Sequence, residues 1–510
     1  MNTRESKVAM FWQRAVAGLD RHRAWVVLSV TGLFFATAIL RARATPYWHD
    51  EIYTLLLARL PTAGDVWRAA RDGADLMPPL NLFLTHAVET ITGPGIVPSR
   101  LPAMLGFSTM IAVVFALVRA RANVMVACAA ALVPWFTQGY RYGYEARGYG
   151  VMLGLSALLI WSWSEAARGR RRRLWLPLFA ALCAATVWNH YFALVTFVPI
   201  AAGEAYRWAT TRSPDWRLWI AGAAGLACCG PLVPLVRQAS AQSATYWRHA
   251  TWADVGDTYW FLFRNLWSFD RGLILLLAAA IAFGLLRGRF DRLPSIAPGH
   301  EVVAGVIGLG LPLMSVGLGR LAGGFTPRYA LPAVVSCAVV APLAIWWISR
   351  RSRVVECILV AVLAVGVLQP SIDLFRHPLT IPDPVAGRPL LIDHLRTAPP
   401  VVVGGTVQFL ELWYYLPPDL RSRLWYVADP GRARHYTRSD TPDRGYIALA
   451  RWAPIGIKTY DQLAGQHAFT LYDNGQGWLA AQLRDASAVA IDAGGERGAR
   501  LARVTMAHQR

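Results

Sequence analysis

What most constrains this chain is a recurring apolar stretch of about twenty residues, long enough each time to cross a bilayer. Such stretches cover 24–40, 101–118, 122–138, 149–166, 174–189, 191–207, 218–236, 271–286, 302–319, 330–348 and 354–370. The spacing predicts about eleven transmembrane helices. With 55% hydrophobic and 16% charged residues, the chain has no surface on which a soluble fold of this length could rest.

The formal charge of +20 would suit a nucleic-acid partner, but its distribution points elsewhere. The basic residues gather in short loops between apolar stretches. One cluster is the N-terminal arm with Arg4, Lys7, Arg14, Arg21 and Arg23, and a second is Arg119 with Arg121. A third spans 168–173, a fourth is Arg207, Arg212 and Arg217, a fifth Arg287, Arg289 and Arg292, and the last Arg350, Arg351 and Arg353. With the predicted spans, all six fall on one side of the membrane. The positive-inside rule makes that side cytoplasmic. No nucleic acid is expected as a partner; membrane lipids are. The first apolar run reads as a retained helix, since no small-residue cleavage site and soluble domain follow it. The six cysteines lie inside apolar stretches without metal-ligand spacing and read as small core residues.

This topology divides the chain into three parts: a cytoplasmic arm (1–23), a transmembrane domain (24–370) with a long outer loop (41–100), and an extracytoplasmic tail (371–510). In the loop, 65–71 has an amphipathic pattern that suits a surface helix. In the tail the apolar runs shorten to strand length at 401–403 and 425–427. Gly404-Gly405 follows the first, and a helical pattern covers 408–416. Strand, glycine turn and helix in that order predict a small α/β domain.

The polar residues sent to the outer side form a set. Pro46-Tyr47-Trp48-His49-Asp50-Glu51 stands where the first helix leaves the bilayer. An acid pair there is costly unless it is solvated, paired or used. One reading makes Asp50 or Glu51 the cap of a helix starting at Ile52; the other makes the pair functional. Later outer pieces supply Asp75, Arg100, Glu145, Arg147, His190, Arg328 and Tyr329. Arg147 and Arg328 run against the charge bias. They either snorkel to lipid headgroups or hold a phosphate with a planar guanidinium. A carboxylate beside arginines at a membrane surface suits transfer from a lipid-linked phosphate donor.

The ordered motifs resemble those of the multi-spanning GT-C glycosyltransferases, in particular the bacterial branch related to protein O-mannosyltransferases and the aminoarabinose lipid A transferase. The matching pieces are Asp50-Glu51 after the first helix, Met77-Pro78-Pro79-Leu80 late in the loop, Arg100-Leu101-Pro102, Glu145-Ala146-Arg147-Gly148-Tyr149, and Arg328-Tyr329. Met77 stands where the family carries His. The resemblance implies an α-helical polytopic membrane protein of the bacterial inner membrane with a periplasmic site. It implies a polyprenyl-phosphate-linked sugar donor, and a lipid, glycan or protein acceptor. Asp50 is then the general base of an inverting transfer, with Glu51 supporting it. Glu145 is a second acid, seating acceptor or metal or orienting Asp50. Arg147, Arg328 and Tyr329 contact the donor phosphate. His49, Asp75 and His190 are candidate substrate contacts. A divalent cation is compatible with the acids but not required by their spacing. The competing expectation is a transporter or flippase of lipid-linked sugars, which would place broken helices or ionisable residues at mid-membrane depth.

Overall fold

A computed structural model of the chain describes residues 16–268, 297–377, 379–397, 400–496 and 498–506. Ten of the eleven predicted spans fall within them and are helical; 271–286 lies outside the described residues, as do Asp270-Arg271, the 287–292 cluster and Arg4, Lys7 and Arg14. Among the described residues five helices are long and apolar enough to cross a membrane: Arg23–Ala44, Ile96–Arg119, Tyr149–Ala167, Trp216–Ala241 and Arg353–Arg376. A sixth span is a pair, Gly299–Leu309 and Leu311–Ala322, bent by 59°. Pro312 explains the bend: its ring cannot donate to the preceding turn. Val124–Phe136 and Ala333–Ile348 are shorter apolar helices.

Two helices, Ile96–Arg119 and Tyr149–Ala167, pack backbone against backbone. A Cβ added at Gly150 would collide with the carbonyl of Ala103, and one at Gly106 with that of Gly150. Small residues are what lets membrane helices approach this closely. Gly150→Ala is expected to cost about 1–3 kcal/mol of stability through overpacking. Thermal unfolding of the purified protein in detergent checks this, and an unchanged midpoint would contradict the close contact.

The described basic clusters collect at one end of the bundle, where acids meet them. Arg119 pairs with Asp20 at 2.6 Å, Arg121 with Glu301 at 2.6 Å, and Arg207 with Asp215 at 2.9 Å. At the other end lies the 41–100 loop, folded into helices His49–Ala58, Ala63–Arg71 and Leu80–Thr92. The 65–71 pattern is indeed helical, and Thr62 starts it by accepting the Asp65 N–H at 3.1 Å. An Arg59–Glu89 pair at 2.8 Å ties the loop's first and last helices.

The tail carries a six-stranded sheet: β1 (Val401–Val403), β2 (Leu424–Val427), β3 (Ile457–Lys458), β4 (Ala468–Asp473), β5 (Val489–Glu496) and β6 (Ala499–Thr505). The order is β3-β2-β1-β4-β6-β5. The first four strands are parallel, and β6 adds antiparallel to both β4 and β5. Successive residues of β1 face opposite sides, as a pleated strand requires. Val402 points into a core with Phe469 and Leu483. Val401 and Val403 point the other way, into a core that continues through Phe409 to Ile52, Leu55 and Leu57 of the loop. The helix Thr406–Tyr415 lies between, so tail and loop share one hydrophobic core.

Candidate active site

The tail and the loop close over a cavity of about 580 Å³. Six of the nine residues singled out in the sequence line it: His49, Asp50, Asp75, Arg147, Arg328 and Tyr329. Glu51, Glu145 and His190 do not.

The separation of Asp50 from Glu51 follows from the helix they start. It begins at His49, not Ile52, with Trp48 extended at its N-cap. Adjacent helical residues point about 100° apart. Glu51 therefore turns into the protein, fully buried, and forms a two-pronged pair with Arg100. Oε1 accepts from Nε and Oε2 from Nη2, each at 2.8 Å. Oε1 also accepts the Ala146 N–H at 2.7 Å. Arg100 spends its other amino group on the carbonyls of Ala42 (2.5 Å) and Thr45 (2.9 Å). One ion pair thus fastens the end of the first span, the start of the loop helix, the second span and the turn that precedes Arg147.

Asp50 faces the cavity. One oxygen lies 3.1 Å from His49 Nδ1 and the other 2.9 Å from Arg328 Nη2. Burial alone would raise its carboxyl. The His49 hydrogen bond and the charges of Arg147 and Arg328 outweigh that and hold it well below the usual carboxylate range. Arg147 is fixed by Nη1 donating to the Asp50 carbonyl (3.3 Å) and the Thr54 hydroxyl (3.0 Å), with Asp75 at 3.9 Å. Arg328 lies over the rings of Trp48 (5.4 Å) and Tyr149 (5.5 Å), a cation–π seat. The Nε atoms of Arg147 and Arg328 are both buried without a partner among the described residues. Asp75 takes the Met77 N–H at 3.0 Å, and burial raises its carboxyl against the pull of Arg147.

Glu145 and His190 stand behind the cavity wall. Glu145 accepts from Arg141 Nε at 3.0 Å. Burial, then the nearby Glu51 charge, pushes it up to about 7. His190 accepts the Phe192 N–H at 3.1 Å and packs on Tyr329 at 4.9 Å. Burial, then Arg147 and Arg328, lowers it to about 3, so it is neutral at ordinary pH. Tyr329 meets the Tyr246 hydroxyl at 3.0 Å.

Several lining residues had no signal in the sequence. Tyr246, Trp247 and Arg248 come from the stretch after the 218–236 span, and Thr406, Thr441 and Tyr446 from the tail. The Tyr446 hydroxyl donates to the Thr406 carbonyl at 2.6 Å and meets His49 Nε2 at 3.2 Å. His49 thereby links the tail to Asp50. A metal finds no comparable seat. Among the described residues no three His, Cys, Asp or Glu side chains group as ligands, and both Asp50 oxygens already face cationic or donor groups.

No protein-family model matches this chain, and no curated protein matches its sequence. Solved structures do match its fold. ArnT from Cupriavidus metallidurans in the apo state has a TM-score of 0.57 at 14% identity, over 95% of this chain and 98% of that one. The same protein bound to undecaprenyl phosphate gives 0.56 at 15%, over 94% and 97%. From the first span to the terminal sheet, this chain is built on the ArnT fold.

Proposed function

We propose that this protein is an integral membrane glycosyltransferase of the bacterial inner membrane. It moves a sugar from a polyprenyl-phosphate carrier to an acceptor at the periplasmic face. The observation that carries this reading is one carboxylate paired with Arg328, with the Arg147 charge nearby, in a cavity at the end of the bundle remote from the basic loops. The positive-inside rule makes that end periplasmic. The fold supports it, because ArnT, on the same fold, has been solved with undecaprenyl phosphate.

In the reaction, the acceptor oxygen or nitrogen attacks the anomeric carbon, and the carbon–oxygen bond to phosphate breaks. The electron pair leaves on the polyprenyl phosphate, and the configuration inverts. Asp50 takes the acceptor proton. Arg147 and Arg328 stabilise the charge that builds on the leaving phosphate, and Tyr329 borders the same pocket. Glu51 acts through Arg100 and Ala146 as a positioning residue. In the free site Arg328 makes Asp50 a weak base. A donor phosphate draws both guanidinium groups to itself, relaxes their hold on Asp50, and so strengthens the base when substrate is present.

The broken pair Gly299–Leu309 and Leu311–Ala322 is a feature also seen in transporters. No ionisable residue lies between Glu301 and Arg320, so the break lacks the groups a midplane site would use.

The test is sugar release from a panel of radiolabelled polyprenyl-phosphate sugars, in membranes holding wild type or Arg328→Gln. Wild type is expected to turn over at least one donor. Arg328→Gln should lower kcat/KM by about 10²-fold or more. Equal turnover by the two proteins would remove Arg328 from the site.

A further inference from the structure

A second cavity, of about 570 Å³, lies at the same end of the bundle and shares no lining residue with the first. Three arginines line it: Arg41, Arg141 and Arg264. No Asp or Glu does. They come from the C-terminal end of the first span, the 138–142 helix and the Asp254–Ser268 helix, and the remaining wall is the end of the Arg353–Arg376 span. Adjacent residues serve the two cavities: Arg141 lines this one and Tyr142 the first.

The cleft is rich in donors that lack an acceptor. Arg41 Nε and Trp135 Nε1 are buried without a partner among the described residues, and both residues line the cleft. A buried donor left unpaired bears its full desolvation penalty, so each calls for a partner. Most neighbouring groups are engaged, although Glu145 keeps one buried oxygen, Oε2, without a partner among the described residues. Tyr140 gives its hydroxyl to Thr37 at 3.1 Å, stacks on Trp135 at 5.0 Å and carries Arg41 over its ring at 5.7 Å. Glu145 holds Arg141 through Nε at 3.0 Å, and the Arg141 side chain is 60% exposed. Gln138, with its amide oxygen turned to accept, takes Arg264 Nε at 3.0 Å and Nη2 at 3.2 Å. Gathering three cations without a lining carboxylate is unfavourable unless an anion completes the set.

We propose that this cleft binds the phosphate of an anionic membrane lipid, seated between the ends of the first and last spans. The arginine forks match phosphate geometry. The lipid source is favoured over free phosphate by the apolar half of the wall, Val367, Pro370 and Leu374. The same helix exposes Leu368, Ile372 and Phe375 beside it, a face suited to acyl chains. An outer-face arginine cluster that breaks the charge bias of the whole chain thereby gains a ligand.

The test is lipid retention by the detergent-purified full chain, measured by native mass spectrometry with dioleoylphosphatidylglycerol, dioleoylphosphatidylcholine or inorganic phosphate added. Phosphatidylglycerol should be held more tightly than the zwitterionic lipid. Arg264→Gln and Asn265→Asp should each weaken it about tenfold. Both positions are exposed, so the folded protein is retained; Arg41→Gln should weaken binding further. Arg212→Gln, at the opposite end, should leave retention unchanged. Equal retention of the two lipids, or undiminished binding by both exposed-site variants, overturns the site. Inorganic phosphate binding as tightly as phosphatidylglycerol overturns the lipid assignment. None of these outcomes bears on sugar transfer, which is read from the other cavity.

Discussion

Asp50→Asn is expected to abolish sugar transfer while tightening the hold on a polyprenyl phosphate. The substitution keeps the shape of the side chain and removes the proton acceptor. A positioned general base contributes about 10²–10⁴-fold, so the rate should fall by at least about 10²-fold. Binding should move the other way. In the wild-type site the Asp50 carboxylate lies 2.9 Å from Arg328, and an entering phosphate must compete with it for that guanidinium. Asparagine is neutral, so both the competition and the repulsion between two anions disappear. A gain of about tenfold in affinity for undecaprenyl phosphate is reasonable at a partly screened site. Equilibrium binding in nanodiscs and sugar release from membranes measure the two halves separately. Transfer within a factor of about two of wild type would return Asp50 to the role of a helix-start residue. Weaker phosphate binding would show that Asp50 orders the arginines rather than competing for their charge.

The same residue has a stability signature of predictable sign. Its carboxyl is held below the usual range in the folded protein by His49, Arg147 and Arg328. A depressed acid contributes stability that is present above its unfolded pKa of about 4. That contribution is lost as pH falls toward the folded value. Asparagine therefore lowers stability at neutral pH, and the difference from wild type shrinks on acidification below about pH 4.

How much of this was legible in the sequence depends on how local each signal is. Hydrophobic length and the basic loops reported the described spans and the end at which the polar residues gather, because both are properties of short segments. The β1–glycine–helix order in the tail was legible for the same reason: 401–403 and 408–416 fall within β1 and the helix Thr406–Tyr415 or within one residue of it. Asp50 and Glu51 read as one acid pair because they are adjacent, yet adjacency in a helix sends them to different surroundings. The start of that helix at His49, set by its packing on the tail helix, decides which acid faces the cavity. The contributions of Thr406, Thr441 and Tyr446 had no local mark at all. Tyr446 meets His49 across almost four hundred residues, and only the docking of the tail onto the loop makes it part of the site. The break at Gly310–Pro312 leaves no mark in the hydropathy, since apolar composition continues through a bend that the proline imposes.

Glu51→Ala and Arg100→Ala are each expected to cost about 3–5 kcal/mol, the penalty for stranding one member of a buried ion pair. Both partners are fully buried. Without Glu51, Arg100 keeps only the carbonyls of Ala42 and Thr45 as acceptors, and the Ala146 N–H loses its partner. The informative protein is the double variant Glu51→Met, Arg100→Met. Apolar residues of similar volume often replace a buried pair at little net cost, so thermal unfolding should recover much of the loss seen in either single change. Transfer should not recover. The Ala146 N–H is still unheld, and Arg147, the next residue, is placed by that turn against Asp50 and Thr54. A double variant that is stable but binds undecaprenyl phosphate about tenfold more weakly would separate what the pair does for the fold from what it does for the site. Single variants within about 1 kcal/mol of wild type would instead mean that water or a neighbouring group takes over the stranded charge. A double variant that transfers sugar normally would mean that Arg147 is held by Thr54 and Asp75 alone.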